Sequence, residues 1–152
     1  MRYSTRTNLH VDRCASAWII RRLIDPDAEF VFVDGQTVAD GAIPFDRHGA
    51  AWGHQRGVNG EEFCTFETLL ALHDLTAGDP ALRELGRIIH GADITADLDE
   101  TLESAGVDLL FRGLRMVSRS DAETLERGFV VMDALYAALQ ADHASAIQVK
   151  SE

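Results

Sequence analysis

Cysteine is scarce: Cys14 and Cys64 are the only two, and they stand far apart in the chain. That count excludes a disulfide framework, and each is read as a reduced thiol. Basic residues are also few, 14 Lys and Arg against 25 Asp and Glu, for a formal net charge of −11. A surface of that sign repels phosphate backbones, and Arg21-Arg22 is the one adjacent basic pair, so direct nucleic-acid binding is not expected. No apolar run approaches the roughly 18 residues of a membrane span, and "MRYSTRTNLHVDR" has no signal-peptide h-region. A cytoplasmic protein without membrane contact is therefore expected. The nucleotide-loop, Rossmann, nucleophile-elbow, zincin and C-x-x-C motifs are all missing, which removes the easily recognised enzyme classes.

What is present is the composition of one globular domain, 46% hydrophobic and 26% charged. "RYSTRT" has the alternation of a short strand. Val11, Ala15, Trp18, Ile19 and Leu23 fall at helical spacing behind Asp12, a candidate N-cap. Asp25-Pro26 stops that helix, and "EFVFVD" reads as a strand. Residues 40–60, with five glycines and a proline, predict a long irregular loop with one short strand near "AIPF". Helices are expected behind Thr65 as a cap, with Phe66, Leu69 and Leu70 inward, and behind Asp79 with Pro80 at the first helical position. Another is expected from about Val107 to Ser118, and a longer one is capped by Ser120 with Glu123 as capping-box partner. That last helix buries Leu125, Phe129, Met132, Leu135, Tyr136 and Leu139, and the final ten residues are expected to fray. The sum is an α+β fold, predominantly helical: five or so helices with two or three short N-terminal strands, in a single domain over residues 1–152.

Three constellations carry chemistry. In "HVDRC", His10 stands where a strand hands over to a helix. Asp12 either only caps or faces a site, and Cys14 either only packs or is a thiol activated by the helix N-terminus. In "WGHQRGVNGEEFCTFE", His54 lies in the glycine-rich loop, with Glu62, Cys64 and Glu67 following; imidazole, carboxylate and thiol are metal-ligating groups. In "IIHGADITAD", His90 and Asp93 share a helical face, and Asp97 falls two turns from His90 if the helix continues. Each has a plainer alternative: a cap, a solvated loop histidine, a satisfied core histidine. His73 and His143 have no neighbours that suggest a site, whereas His48 shares the glycine-rich loop.

The ordered segments "HVDRCASAWIIRRLIDPDAEFVFV", "PFD" then "GHQRG", "CTFETLLALHDL", "DPALRELGRIIHGADI" and "LERGFVVMDALYAAL" resemble the chromate-resistance (ChrB-type) domain family over most of residues 8–139. The resemblance implies a role in chromate resistance. It is to the C-terminal domain of the family's regulators, so no DNA-binding part is expected in this chain, in keeping with the acidic charge. His10, Asp12, Arg13, Cys14, Trp18, Arg21, Arg22, His54, Cys64, Phe66, His90 and Asp93 fall on its motif positions. "AAWGHQRGVNGEEFC" is longer and more glycine-rich than the family pattern, which leaves the register of Glu62 open.

With the resemblance, the three histidines read as one convergent metal site: His10, His54 and His90 as ligands, with Asp93 or Asp12 completing or orienting the set. Arg13 and Glu67 would stand behind them, and imidazole with carboxylate suits Fe, Mn or Zn. The competing expectation is a non-enzymatic oxyanion or redox sensor in which Arg13, with Arg21 or Arg22, binds chromate or sulfate and an accessible Cys14 or Cys64 reports oxidation. A third is an interaction module whose histidines are buried and satisfied. Whether the chain is an enzyme, a homo-oligomer or bound to a separate regulatory partner is left open.

Overall fold

The computed structural model describes residues 1–35 and 37–149, the last three of these by backbone alone. Its strands are β1 (Arg2–Arg6), β2 (Glu29–Val33), β3 (Ile43–Pro44), β4 (Gln55–Arg56) and β5 (Glu62–Phe63). Its α-helices are α1 (Val11–Ile19), α2 (Thr65–Leu72), α3 (Pro80–Asp93), α4 (Ser104–Val117) and α5 (Asp121–Val149). The fold is thus the expected α+β, predominantly helical one.

β1 lies between β2 and β3, parallel to both, with Tyr3 opposite Phe30 and Ile43. A parallel pair needs a crossover, and α1 supplies it between β1 and β2. The central position explains why Tyr3, Ser4 and Thr5 are all buried in a strand whose sequence looks polar. The glycine-rich loop is more ordered than its composition suggests: beyond β3 it runs into an antiparallel β4–β5 hairpin, with Gln55 opposite Phe63.

The core lies where α1 meets α2, α3 and α5. Val11, Ala15, Trp18 and Ile19 are buried as the helical spacing predicts, but Leu23 is 40% exposed. The cause is a π-helical turn over Ile20–Ile24, closed by Asp25 N–H donating to Ile20 O at 2.7 Å. The wider turn takes the following side chains out of the α-helical register. Trp18 donates its indole N–H to Asp133 Oδ1 at 2.7 Å, and Arg22 donates to the same carboxylate, tying α1 to α5. Asp79 accepts from Leu82 N–H as the expected cap, and its other oxygen accepts from Tyr136 at 2.6 Å. Leu125 and Met132 are buried, with Phe129, Leu135, Tyr136 and Leu139 packed beside them.

Two boundaries and one cap partner differ from expectation. α4 begins at Ser104, whose hydroxyl is buried and donates to Ile88 O on α3. Glu123 accepts from Arg119 N–H, one residue before the Ser120 that caps α5. The final segment does not fray where expected, since α5 runs to Val149; residues 150–152 lie outside the described residues.

A candidate metal centre around His54

Asp12 does not cap its own helix; α1 starts after His10. The Asp12 carboxylate, 2% exposed, reaches across to α2 and accepts from Thr65 N–H at 2.9 Å and Phe66 N–H at 2.8 Å. Those amides are among the unpaired donors of a helix start, so a buried anion is satisfied by a helix that needs one. Thr65, expected as the cap, is instead the first helical residue behind Cys64, and Glu67 accepts from Cys64 N–H at 3.0 Å.

Asp46 follows β3 with φ +46°, a left-handed conformation rare for a residue with a side chain, and such strain gathers at functional sites. Its Oδ2 accepts from Arg13 Nε at 2.6 Å and its Oδ1 from the Thr65 hydroxyl at 3.0 Å. Arg13 also donates to Thr7 O and Asn8 O, both at 3.1 Å.

His54 enters from the loop between β3 and β4. Gly53 makes the approach possible, because a Cβ there would lie 2.6 Å from Arg47 O and 3.1 Å from Ala50 O. The imidazole Nε2 lies 3.3 Å from Asp12 Oδ2, 3.3 Å from Asp93 Oδ2 and 3.7 Å from Asp46 Oδ1, while Nδ1 is 3.8 Å from Glu62. Among the described residues, Asp12, Asp46 and His54 each offer a ligand atom within 4.8 Å of the others. Asp93, at the end of α3, faces the same His54 nitrogen but stands outside that mutual set.

The electrostatics follow from crowding several carboxylates around one imidazole. The close approach of the Asp12 and then the Asp93 carboxylate outweighs burial and pushes the His54 pKa up to about 11. Burial works to raise Asp12, but the nearby His54 and the hydrogen bonds from Phe66 and Thr65 hold it below the usual carboxylate range. Asp93 is raised, by burial first and by the nearby Asp12 and Asp46 charges.

The other histidines are placed differently. His90 lies between two carboxylates, Nδ1 2.7 Å from Glu67 Oε2 and Nε2 3.0 Å from Asp97 Oδ2. α3 ends before Asp97; a 3₁₀ turn over Thr95–Asp97 folds that carboxylate back. His10 Nε2 lies 3.1 Å from Asp108 on α4, without hydrogen-bond geometry, and burial lowers its pKa. The chain therefore gathers His54 with Asp12, Asp93 and the unforeseen Asp46, and distributes His10 and His90 to pairings of their own.

The groups of the sensor reading are spent or hidden. Cys14 and Cys64 are buried, which pushes the Cys14 thiol up to about 12 and raises Cys64 well above its ordinary value. The expectation of an accessible, activated Cys14 is thereby overturned. Arg13 is occupied by Asp46 and two carbonyls, and Arg21 donates Nη2 to Ala28 O and lies over Phe30, with its Nε buried and without a hydrogen-bond partner among the described residues.

Asp46 and Glu62 also line an open cleft of about 270 Å³ with Arg6, Arg47, His48 and His54. In the sequence Asp46 was visible only as the last residue of "PFD". Its left-handed backbone, which orients the carboxylate, has no sequence signature as glycine would.

Residues 3–139 match the family described as ChrB, C-terminal domain. The chain is 36% identical over 135 residues to Protein ChrB of Cupriavidus metallidurans, an alignment covering 88% of this chain and 39% of that protein. The chain thus spans about two-fifths of that relative's length. No solved structure matches it. None of the helices is long and apolar enough to cross a membrane among the described residues. The matched length and identity together make this chain a member of the ChrB C-terminal domain family, the chromate-resistance type that its ordered motifs resemble.

Proposed function

We propose that this domain binds one divalent transition-metal ion through Asp12, Asp46 and His54, with Asp93 as a further carboxylate, and that it serves chromate resistance in the cytoplasm in that form. The observation that carries the reading is the mutual approach of three ligand atoms within 4.8 Å, two of them from buried carboxylates. Tetrahedral or octahedral ligands at about 2.0–2.2 Å from an ion lie about 3–4.5 Å apart, so the donors need little movement.

The donor chemistry fits the group. Carboxylate oxygens with one imidazole suit Fe, Mn or Zn. Asp46 is oriented by Arg13 and Thr65, and Asp12 by the start of α2, as ligating carboxylates are oriented in metal sites. Several carboxylates around a single imidazole leave a negative excess in a partly buried place, which a cation relieves. A bound ion would supply Lewis acidity or redox capacity; the chain's own residues orient the donors and hold a proton on His54 until the ion displaces it.

Elemental analysis of untagged protein tests this, with near-stoichiometric Fe, Mn or Zn expected. A chain that stays metal-free after incubation with all three ions would refute the proposal.

A further inference from the structure

α4 turns an apolar seam to solvent. Leu109 is 62% exposed, Met116 83% and Val117 64%, and Leu102, just before the helix, is 98% exposed. Leu109 and Met116 stand seven apart, as do Gly106 and Gly113, which puts these four on one side of α4. Leu102, a further seven residues before Leu109, continues the line beyond the helix start. Exposed large side chains grouped in this way mark contact surfaces. The glycines support the same reading by a different route. Each lowers helix stability, and a Cβ at either would meet nothing within 4 Å among the described residues, so packing within the chain does not require them. Glycine on an outward helical face leaves room for another backbone to come close.

We propose that this seam is the contact of a homodimer, in which two copies of α4 pack antiparallel about a two-fold axis midway between Leu109 and Gly113. Each Leu109 then sits on the second copy's Gly113, and each Met116 on the second copy's Gly106. Beside Gly106, Leu98, Leu102 and Ala105 line a shallow hollow of about 370 Å³, which receives the flexible Met116 side chain. Charge selects the same arrangement. Exposed Asp99, Glu100 and Glu103 gather at one end of the seam, and exposed Arg112, Arg115 and Arg119 toward the other. Antiparallel packing sets each acidic end on the other copy's basic end, whereas a parallel pair would oppose like charges. The chain carries a net charge of −11, so two copies attract only through a patch that supplies both signs, as this one does. The ion pairs of Glu100 with Arg87 and of Arg119 with Glu123 are exposed and rearrange at little cost. A single helix pair about 21 Å long covers less than the roughly 800 Å² per partner of a standard interface, so a dissociation constant in the micromolar range is expected.

The dimer does not depend on bound metal, so the metal-free chain serves for the test. Sedimentation equilibrium from about 1 µM to about 1 mM should show a monomer–dimer equilibrium in the native chain. Leu109→Glu replaces an exposed side chain and should weaken association at least tenfold, with the monomer's thermal midpoint unchanged. Gly113→Leu separates contact from stability. The better helix former should raise the monomer's thermal midpoint, while its side chain blocks the second helix and weakens association at least tenfold. Glu103→Arg should weaken association severalfold, and Arg119→Glu added to it should restore the native strength. A native chain that stays monomeric throughout overturns the dimer and leaves the seam to a different protein. Association as strong in Leu109→Glu and Gly113→Leu as in the native chain places the contact elsewhere and overturns it too. A charge-swapped double variant that associates no better than Glu103→Arg overturns the antiparallel pairing.

Discussion

His54 and His90 are both histidines flanked by carboxylates, yet their surroundings differ in what they leave available. Both ring nitrogens of His90 are within hydrogen-bond distance of a carboxylate, Glu67 on α2 and Asp97 beyond α3, so the ring links two segments. His54 comes from a loop and faces carboxylates from α1, α3 and the strained turn after β3, two of them buried and held by other partners. The first arrangement is complete as a structural tie. The second concentrates negative charge on one point that a side-chain cation only partly offsets. Residue type is thus a weaker guide to a site than the origin of the carboxylates and what already holds them.

The largest expected effect comes from removing the group that links core and site. Asp12→Ala takes the acceptor from two α2 amides and should cost about 3–5 kcal/mol, as breaking a buried charged network does, and abolish metal binding. Urea unfolding of the metal-free protein measures the first; a loss below about 1 kcal/mol would contradict the capping role.

Gly53→Ala probes the placement of His54 rather than its chemistry. The added Cβ meets Arg47 O at 2.6 Å, so the loop must shift, at a cost of about 1–3 kcal/mol. Metal affinity should fall at least tenfold, and an unchanged titration curve would show that the loop position is immaterial.

His90→Gln should retain the metal and lose about 1 kcal/mol or less, the range of partly exposed ion pairs. Burial opposes the His90 charge, but the hydrogen bonds the ring donates to Glu67 and Asp97 outweigh it and raise the pKa above the ordinary 6.5. A raised folded pKa contributes stability fully below the unfolded value and loses it as pH rises through the folded one. Native and variant stabilities should therefore differ most below pH 6.5 and converge as the pH rises further, which denaturant melts across that range would check. The smallest effect belongs to Asp133→Asn, which keeps an amide oxygen for Trp18, loses only the exposed Arg22 ion pair at about 0.5 kcal/mol or less, and leaves metal content untouched.

The α-helices and first three strands were legible in the sequence because their signals are local: the Asp79-Pro80 start, the Asp25-Pro26 stop, the stripe from Leu125 to Leu139. The π turn that exposes Leu23 was not, since Ile20–Ile24 reads as an ordinary helical sequence. At the site, Asp12, His54 and Asp93 were legible as residue types, and the approach of both carboxylates to His54 was not. Helical spacing assigned Asp93 to His90, whereas tertiary packing turns Asp93 toward His54 and supplies His90 with Glu67 and Asp97. Asp12 carries a similar lesson: local pattern made it a cap for α1, and it caps α2 from a distance.

The most direct test of the central claim is the metal content of the native chain beside His54→Ala and His90→Ala, purified untagged under identical conditions. Near-stoichiometric Fe, Mn or Zn in the native and His90→Ala chains, with none in His54→Ala, is the predicted result. Metal retained by His54→Ala, or lost equally from both variants, would contradict a centre built on His54.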